Sequence, residues 1–141
     1  MHKQNTARTL ATLFLILFAA AAAAAQWPTK FKIPAERDPR ALTPVESRLE
    51  SKLMSRAMPY RVLLPASYES EKTRRYPVVM LLHGLTGTYR NWTDLTLLTL
   101  YARDHEFIIV TPEGNNGWYT DSAGVKTDQY ESYIIKELIP E

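Results

Sequence analysis

Residues 78 to 87, Val-Val-Met-Leu-Leu-His-Gly-Leu-Thr-Gly, constrain the fold of this chain more than any other stretch. Five apolar residues run without polar alternation and stop at His83-Gly84. Such a run suits a strand buried on both faces, as in a parallel sheet covered by helices. The glycines that follow predict a tight loop at the strand's carboxyl end, turned so that backbone N–H groups face a ligand. Open α/β sheets place their binding and chemistry at that end.

The flanking segments agree with an α/β class. Phe107 to Val110 is a second short apolar run, ended by Thr111-Pro112. Between the two runs, Asn91 to Asp104 reads as a helix: Leu95, Leu98 and Ala102 share a face that Leu97 and Tyr101 widen, and Asn91 or Thr93 can cap its start. Strand, helix and strand over 78–112 predict a βαβ unit with parallel strands and a right-handed crossover. Upstream, Val45, Leu49 and Leu53 recur at a spacing open to strand or helix, whereas Pro59 to Leu64 reads more clearly as a strand. Joined by a turn at Met54 to Ala57, the two predict an antiparallel hairpin. Pro65 to Arg75 reads as a surface loop, and Pro112 to Val125 as a long glycine- and asparagine-rich loop at a strand's carboxyl end. Asp128, followed three residues on by Glu131, has the form of a capping box. It would open a last helix whose inner face carries Tyr130, Ile134 and Leu138.

The amino terminus obeys other rules. Lys3 and Arg8, the apolar stretch Leu10 to Phe18 and the small-residue tail Ala19 to Ala25 follow the three-part plan of a signal peptide, with cleavage expected at Ala23-Ala24-Ala25. A stable membrane span would need about 20 strongly apolar residues, more than this alanine-rich segment offers. Residues 1–25 are therefore read as a signal peptide, 26–44 as a proline-broken extended leader bearing Trp27 and Phe31, and 45–141 as the folded part. Export to the periplasm or medium is the expected destination. Lys3 and Arg8 account for the whole excess of 17 basic over 15 acidic residues, so the remainder is neutral and nothing points to nucleic acid. The absence of cysteine excludes disulfides and a lipid-modified cysteine.

No metal-ligand spacing is present, and no Gly-x-Gly-x-x-Gly follows either apolar run, which argues against a dinucleotide. No cofactor is expected. In the loop after the second run, Asn115, Trp118 and Tyr119 combine amides with aromatic rings, a composition that suits a sugar or an aryl ester. An equal reading is that the two rings close the lower edge of the core. His105, in Arg103-Asp104-His105-Glu106, sits where a cation suits a helix end.

Taken in order, Arg75-Tyr76-Pro77, residues 78–87, Asn91-Trp92, Ile109-Val110-Thr111-Pro112-Glu113-Gly114 and Tyr130-Glu131-Ser132-Tyr133-Ile134 resemble the esterase branch of the α/β-hydrolases. That branch includes the S-formylglutathione hydrolase (esterase D) group, feruloyl, acetyl and tributyrin esterases, and mycolyltransferases. The resemblance covers 45–141 and implies the amino-terminal half of an α/β-hydrolase fold. Its sheet would be ordered hairpin, then 107–110, then 78–82. It implies that the Leu85 backbone N–H is an oxyanion donor, that Gly84 and Thr86 shape the turn, and that His83 orients the loop through a ring hydrogen bond.

Members of this branch attack an ester with the serine of a Gly-x-Ser-x-Gly elbow, followed by an acid and a histidine. No serine of this sequence lies in such a motif; Asp121-Ser122-Ala123-Gly124 comes nearest but follows no apolar run. The expectation is an amino-terminal fragment of an exported serine carboxylic-ester hydrolase. It carries the oxyanion loop, lacks nucleophile, acid and histidine, and is inactive alone. Its substrate in the intact enzyme would be a small-molecule or carbohydrate ester. An acyltransferase of the same branch and a non-enzymatic glycan- or aryl-ester-binding module stay open. With no strand beyond 78–82 that run becomes an apolar edge, which predicts self-association.

Overall fold

Alternation along the second predicted strand sets the architecture. The computed structural model describes residues 38–141; the signal peptide, most of the leader, Trp27 and Phe31 lie outside the described residues. Strands β1 (Val45–Ser51), β2 (Arg56–Leu63), β3 (Val78–Met80) and β4 (Ile108–Pro112) form one sheet in the order β1-β2-β4-β3. β1 pairs antiparallel with β2 and β2 with β4, while β3 lies parallel to β4 with Val78, Val79 and Met80 opposite Ile108, Ile109 and Val110. This is the expected order, a hairpin attached to a parallel βαβ unit.

Side chains on a strand alternate between faces. Met58, Tyr60, Met80 and Val110 point to one side, where they pack with Met54, Tyr130, Tyr133 and Leu138. Leu63, Ile109 and Leu81 point to the other and meet Leu42, Leu98, Ala102 and Phe107. The last helical segment thus covers one face, and the segment between β3 and β4 covers the other. Burying an aliphatic or aromatic side chain in either layer contributes on the order of 2 kcal/mol.

Several expectations need correction. Residues 91–104 do not form one helix. They form α1 (Asn91–Asp94), α2 (Leu98–Tyr101) and a 3₁₀ turn at Ala102–Asp104. The break has a local cause: the Thr96 hydroxyl donates to the Trp92 carbonyl, and Leu98 N–H donates to the Thr96 oxygen at 3.1 Å. A side chain here takes over bonds that a continuous helix would make between backbone groups. Nor is the apolar run buried on both faces. β3 is an edge strand, and Val78 is 57% exposed because β3 has only β4 beside it among the described strands.

The final helix begins as α3 (Tyr130–Tyr133) and widens to a π turn at Ile134–Leu138. Asp128 does not cap it, because its carboxylate is drawn to Arg56 at 3.1 Å. Asp121 binds the first turn instead, accepting from Ser132 N–H at 2.9 Å and from the Ser132 hydroxyl at 2.7 Å. At the far end of this segment Glu137 reaches the β1–β2 turn. It accepts from Lys52 N–H at 3.1 Å, Leu53 N–H at 3.2 Å and the Ser51 hydroxyl.

Candidate active site

Because β3 and β4 are parallel, their carboxyl ends open on the same edge of the sheet. The loop after β3, with His83 to Gly87, therefore meets the loop after β4, with Glu113 to Tyr119. Five side-chain bonds join them, one of them Gly114 N–H donating to His83 Nε2 at 3.0 Å. His83 Nε2 lies 3.0 Å from Glu113 Oε1, and His83 N–H donates to the Tyr119 hydroxyl at 3.0 Å. Thr86 N–H donates to Asn116 Oδ1 at 3.0 Å, and Tyr89 N–H to Glu113 Oε2 at 3.3 Å.

The turn at 84–87 closes with Gly87 N–H donating to the Gly84 carbonyl at 2.9 Å. Thr86 occupies its third position at φ 62°, the left-handed region that a type II turn requires there. Glycine or asparagine is usual at such a site, and a β-branched residue is strained in it. The anticipated role of the glycines is thus revised. No described glycine has positive φ, whereas Thr86, Asn115, Trp118 and Tyr119 all do. Left-handed non-glycine residues gather at functional sites more often than elsewhere, since only surrounding contacts can hold them.

The glycines supply room instead. A Cβ on Gly114 would run into the Tyr119 ring, and one on Gly117 into the Tyr130 ring. On Gly87 it would come within 2.9 Å of the Gly84 carbonyl oxygen. Close approach, and not backbone freedom, explains these positions.

Leu85 projects from this framework, 56% exposed. Among the described residues no acceptor takes its N–H or that of Gly84, while the N–H groups of His83, Thr86 and Gly87 are bonded. Of the residues singled out in the second loop, Asn115 donates to the Tyr130 hydroxyl at 2.9 Å, an oxygen that also accepts from Arg56. Tyr119 accepts from His83 N–H and lies 3.3 Å from the Pro112 carbonyl; burial pushes its phenol up to about 12, with Glu113 adding to the rise. Both side chains use their polar atoms on the framework. Trp118 is 72% exposed and open to solvent.

His83 and Glu113 are the buried polar centre of the site, although sequence reasoning marked only the first. Glu113 also accepts from Gly114 N–H at 3.0 Å and Asn115 N–H at 2.6 Å. The hints in the sequence were its place in the Ile109 to Gly114 motif and its position directly after an apolar strand, a common pattern. His105 lies outside the site, exposed and stacked on Phe107 with ring centroids 5.3 Å apart. Among the described residues no cluster of three or more His, Cys, Asp or Glu could hold a metal ion.

A mixed sheet with helical segments on both faces and an unbonded amide in a strained turn at a strand's carboxyl end defines the α/β-hydrolase class. Within that class the chain belongs to the esterase family, whose model, described as "Putative esterase", matches residues 51–141. Among solved structures it is similar to a ferulic acid esterase, at 31% identity and TM-score 0.64, covering 71% of this chain and 42% of that one. An S-formylglutathione hydrolase from Agrobacterium tumefaciens shares the fold at 20% identity and TM-score 0.60, covering 77% of this chain and 46% of that one. A CE1 ferulic acid esterase from Anaeromyces mucronatus, in complex with ferulic acid, does so at 22% identity and TM-score 0.54, covering 81% and 46%. The chain thus spans less than half the length of these structures. No curated protein matches it. No helix among the described residues is long and apolar enough to cross a membrane.

Proposed function

We propose that residues 45–141 form the oxyanion-loop side of an exported serine carboxylic-ester hydrolase, and that these residues alone do not turn over an ester. The observation that carries this reading is the Leu85 N–H, which has no acceptor among the described residues, while the N–H groups of His83, Thr86 and Gly87 are bonded. In the intact site it donates to the oxygen that becomes negative as a serine attacks the ester carbonyl. One such donor contributes about 3 kcal/mol to the transition state, provided a nucleophile is positioned beside it. The sequence of these residues contains no Gly-x-Ser-x-Gly elbow, so that nucleophile comes from polypeptide outside them. The signal-peptide pattern of residues 1–25 supports export, and the similarity to ferulic acid esterases supports an aryl or carbohydrate ester as substrate.

The exposed Trp118 favours a second reading, a module that binds such an ester without cleaving it. One experiment addresses both. Purified protein is incubated with p-nitrophenyl acetate and, separately, with methyl ferulate in a fluorescence titration. No turnover and no saturable binding is the outcome expected. Saturable quenching lost in Trp118→Ala establishes the binding module. Turnover abolished by a substitution within the chain overturns the proposal.

A further inference from the structure

The unbonded Leu85 N–H is held outward by a relay that starts at a buried acid. Gly84 and Leu85 are joined by a trans peptide, in which carbonyl and N–H point in opposite directions. The Gly84 carbonyl is fixed by two donors, Gly87 N–H at 2.9 Å and His83 Nδ1 at 2.8 Å. Because the partner is a carbonyl, Nδ1 must carry a proton. With that carbonyl fixed inward, the Leu85 N–H has to face away from the framework.

The other ring nitrogen is held against Glu113 and Gly114. His83 Nε2 lies 3.0 Å from Glu113 Oε1, with its side chain 1% exposed and that of Glu113 10% exposed. Gly114 N–H donates to His83 Nε2 at 3.0 Å and to Glu113 Oε1 at 3.0 Å, so a ring protonated at Nδ1 is satisfied at both nitrogens and shares one amide donor with the carboxylate beside it. Glu113 in turn is anchored by the N–H groups of Gly114, Asn115 and Tyr89.

We propose that Glu113 and His83 are positioning residues for the oxyanion donor, Glu113 holding the His83 ring so that its Nδ1–H sets the Gly84–Leu85 peptide. This inference rests on the reading of Leu85 given above. Glutamine at 113 would not substitute, since its amide has one acceptor oxygen where the carboxylate uses two, Oε1 for the Gly114 and Asn115 N–H groups and Oε2 for that of Tyr89.

Nuclear magnetic resonance on the whole chain, at concentrations where it is monomeric, tests the relay separately from esterase activity. In the unaltered protein His83 Nδ1 is expected to carry a protonated-type ¹⁵N shift, and the Leu85 amide an order parameter of about 0.85. In Glu113→Gln the Leu85 order parameter is expected to fall below about 0.6. An unprotonated Nδ1 in the unaltered protein overturns the proposal whatever the variant does. So does a Leu85 amide that stays ordered in a folded Glu113→Gln protein. A failed ester assay with the relay intact would instead count only against the proposed function.

Discussion

Thr86 shows how one residue's conformational cost bears on the site. Its left-handed φ of 62° is maintained by the Gly84–Gly87 bond across the turn and by Asn116, which accepts the Thr86 N–H. Glycine would relieve the strain at the expense of a more flexible unfolded chain, and the strain is the larger quantity for a β-branched residue. Thr86→Gly is accordingly expected to raise the unfolding free energy by about 1 kcal/mol in urea denaturation. A loss of stability would show that the threonine is at ease in this turn. Strain of this kind is invisible in a sequence: the resemblance named Gly84 and Thr86 as shaping the turn, but the residues themselves credited backbone freedom to the glycines and not to the threonine.

At the scale of elements, the strands were legible and the helices only partly so. Period-two alternation in β2 and the continuous apolar runs of β3 and β4 arise from the layers each strand faces, and those layers need no distant information to be inferred. The loop after β3 could be located for the same reason, by where an apolar run stops. Residues 91–104 misled because their helical periodicity is real, while the Thr96 hydroxyl that interrupts them competes through a bond no hydrophobic pattern encodes. Glu113 was passed over because its partner, His83, is 30 residues away in sequence.

The start of α3 was misread for a similar reason: Asp128 has the right spacing, but Arg56 takes it, and Asp121 binds the helix's first turn from 11 residues before Ser132. The backbone N–H of Ser132, and next its hydroxyl, hold the Asp121 carboxyl below the ordinary carboxylate range. A group lowered in the folded state contributes stability that is complete above its unfolded value of about 3.9 and is lost as pH falls through its native value. Urea midpoints measured from about pH 6 down to about pH 3 should therefore decline less in Asp121→Asn than in the parent. Parallel declines would remove Asp121 from the acid sensitivity.

For the whole molecule, the exposed edge matters most. β3 presents Val78 and Val79 with β4 on one side only among the described strands, and neither proline nor charge interrupts it. Natural edge strands avoid pairing with other copies by carrying such interruptions. Sedimentation velocity is expected to show association that grows with concentration, and Val78→Lys to shift the distribution toward monomer. An unchanged distribution would place the association elsewhere or deny it.

The carboxylate of Glu137 on the β1–β2 turn has a consequence in time. Ser51 and Glu137 are 86 residues apart, so the first hairpin leaves the ribosome well before the group that closes its turn exists. At about 5 to 20 residues per second that interval is on the order of ten seconds. Throughout it, the Lys52 and Leu53 amides are satisfied only by water, and Met54 has no helix against which to pack. The earliest hairpin of this protein is therefore provisional during synthesis, and becomes permanent only when Glu137 arrives.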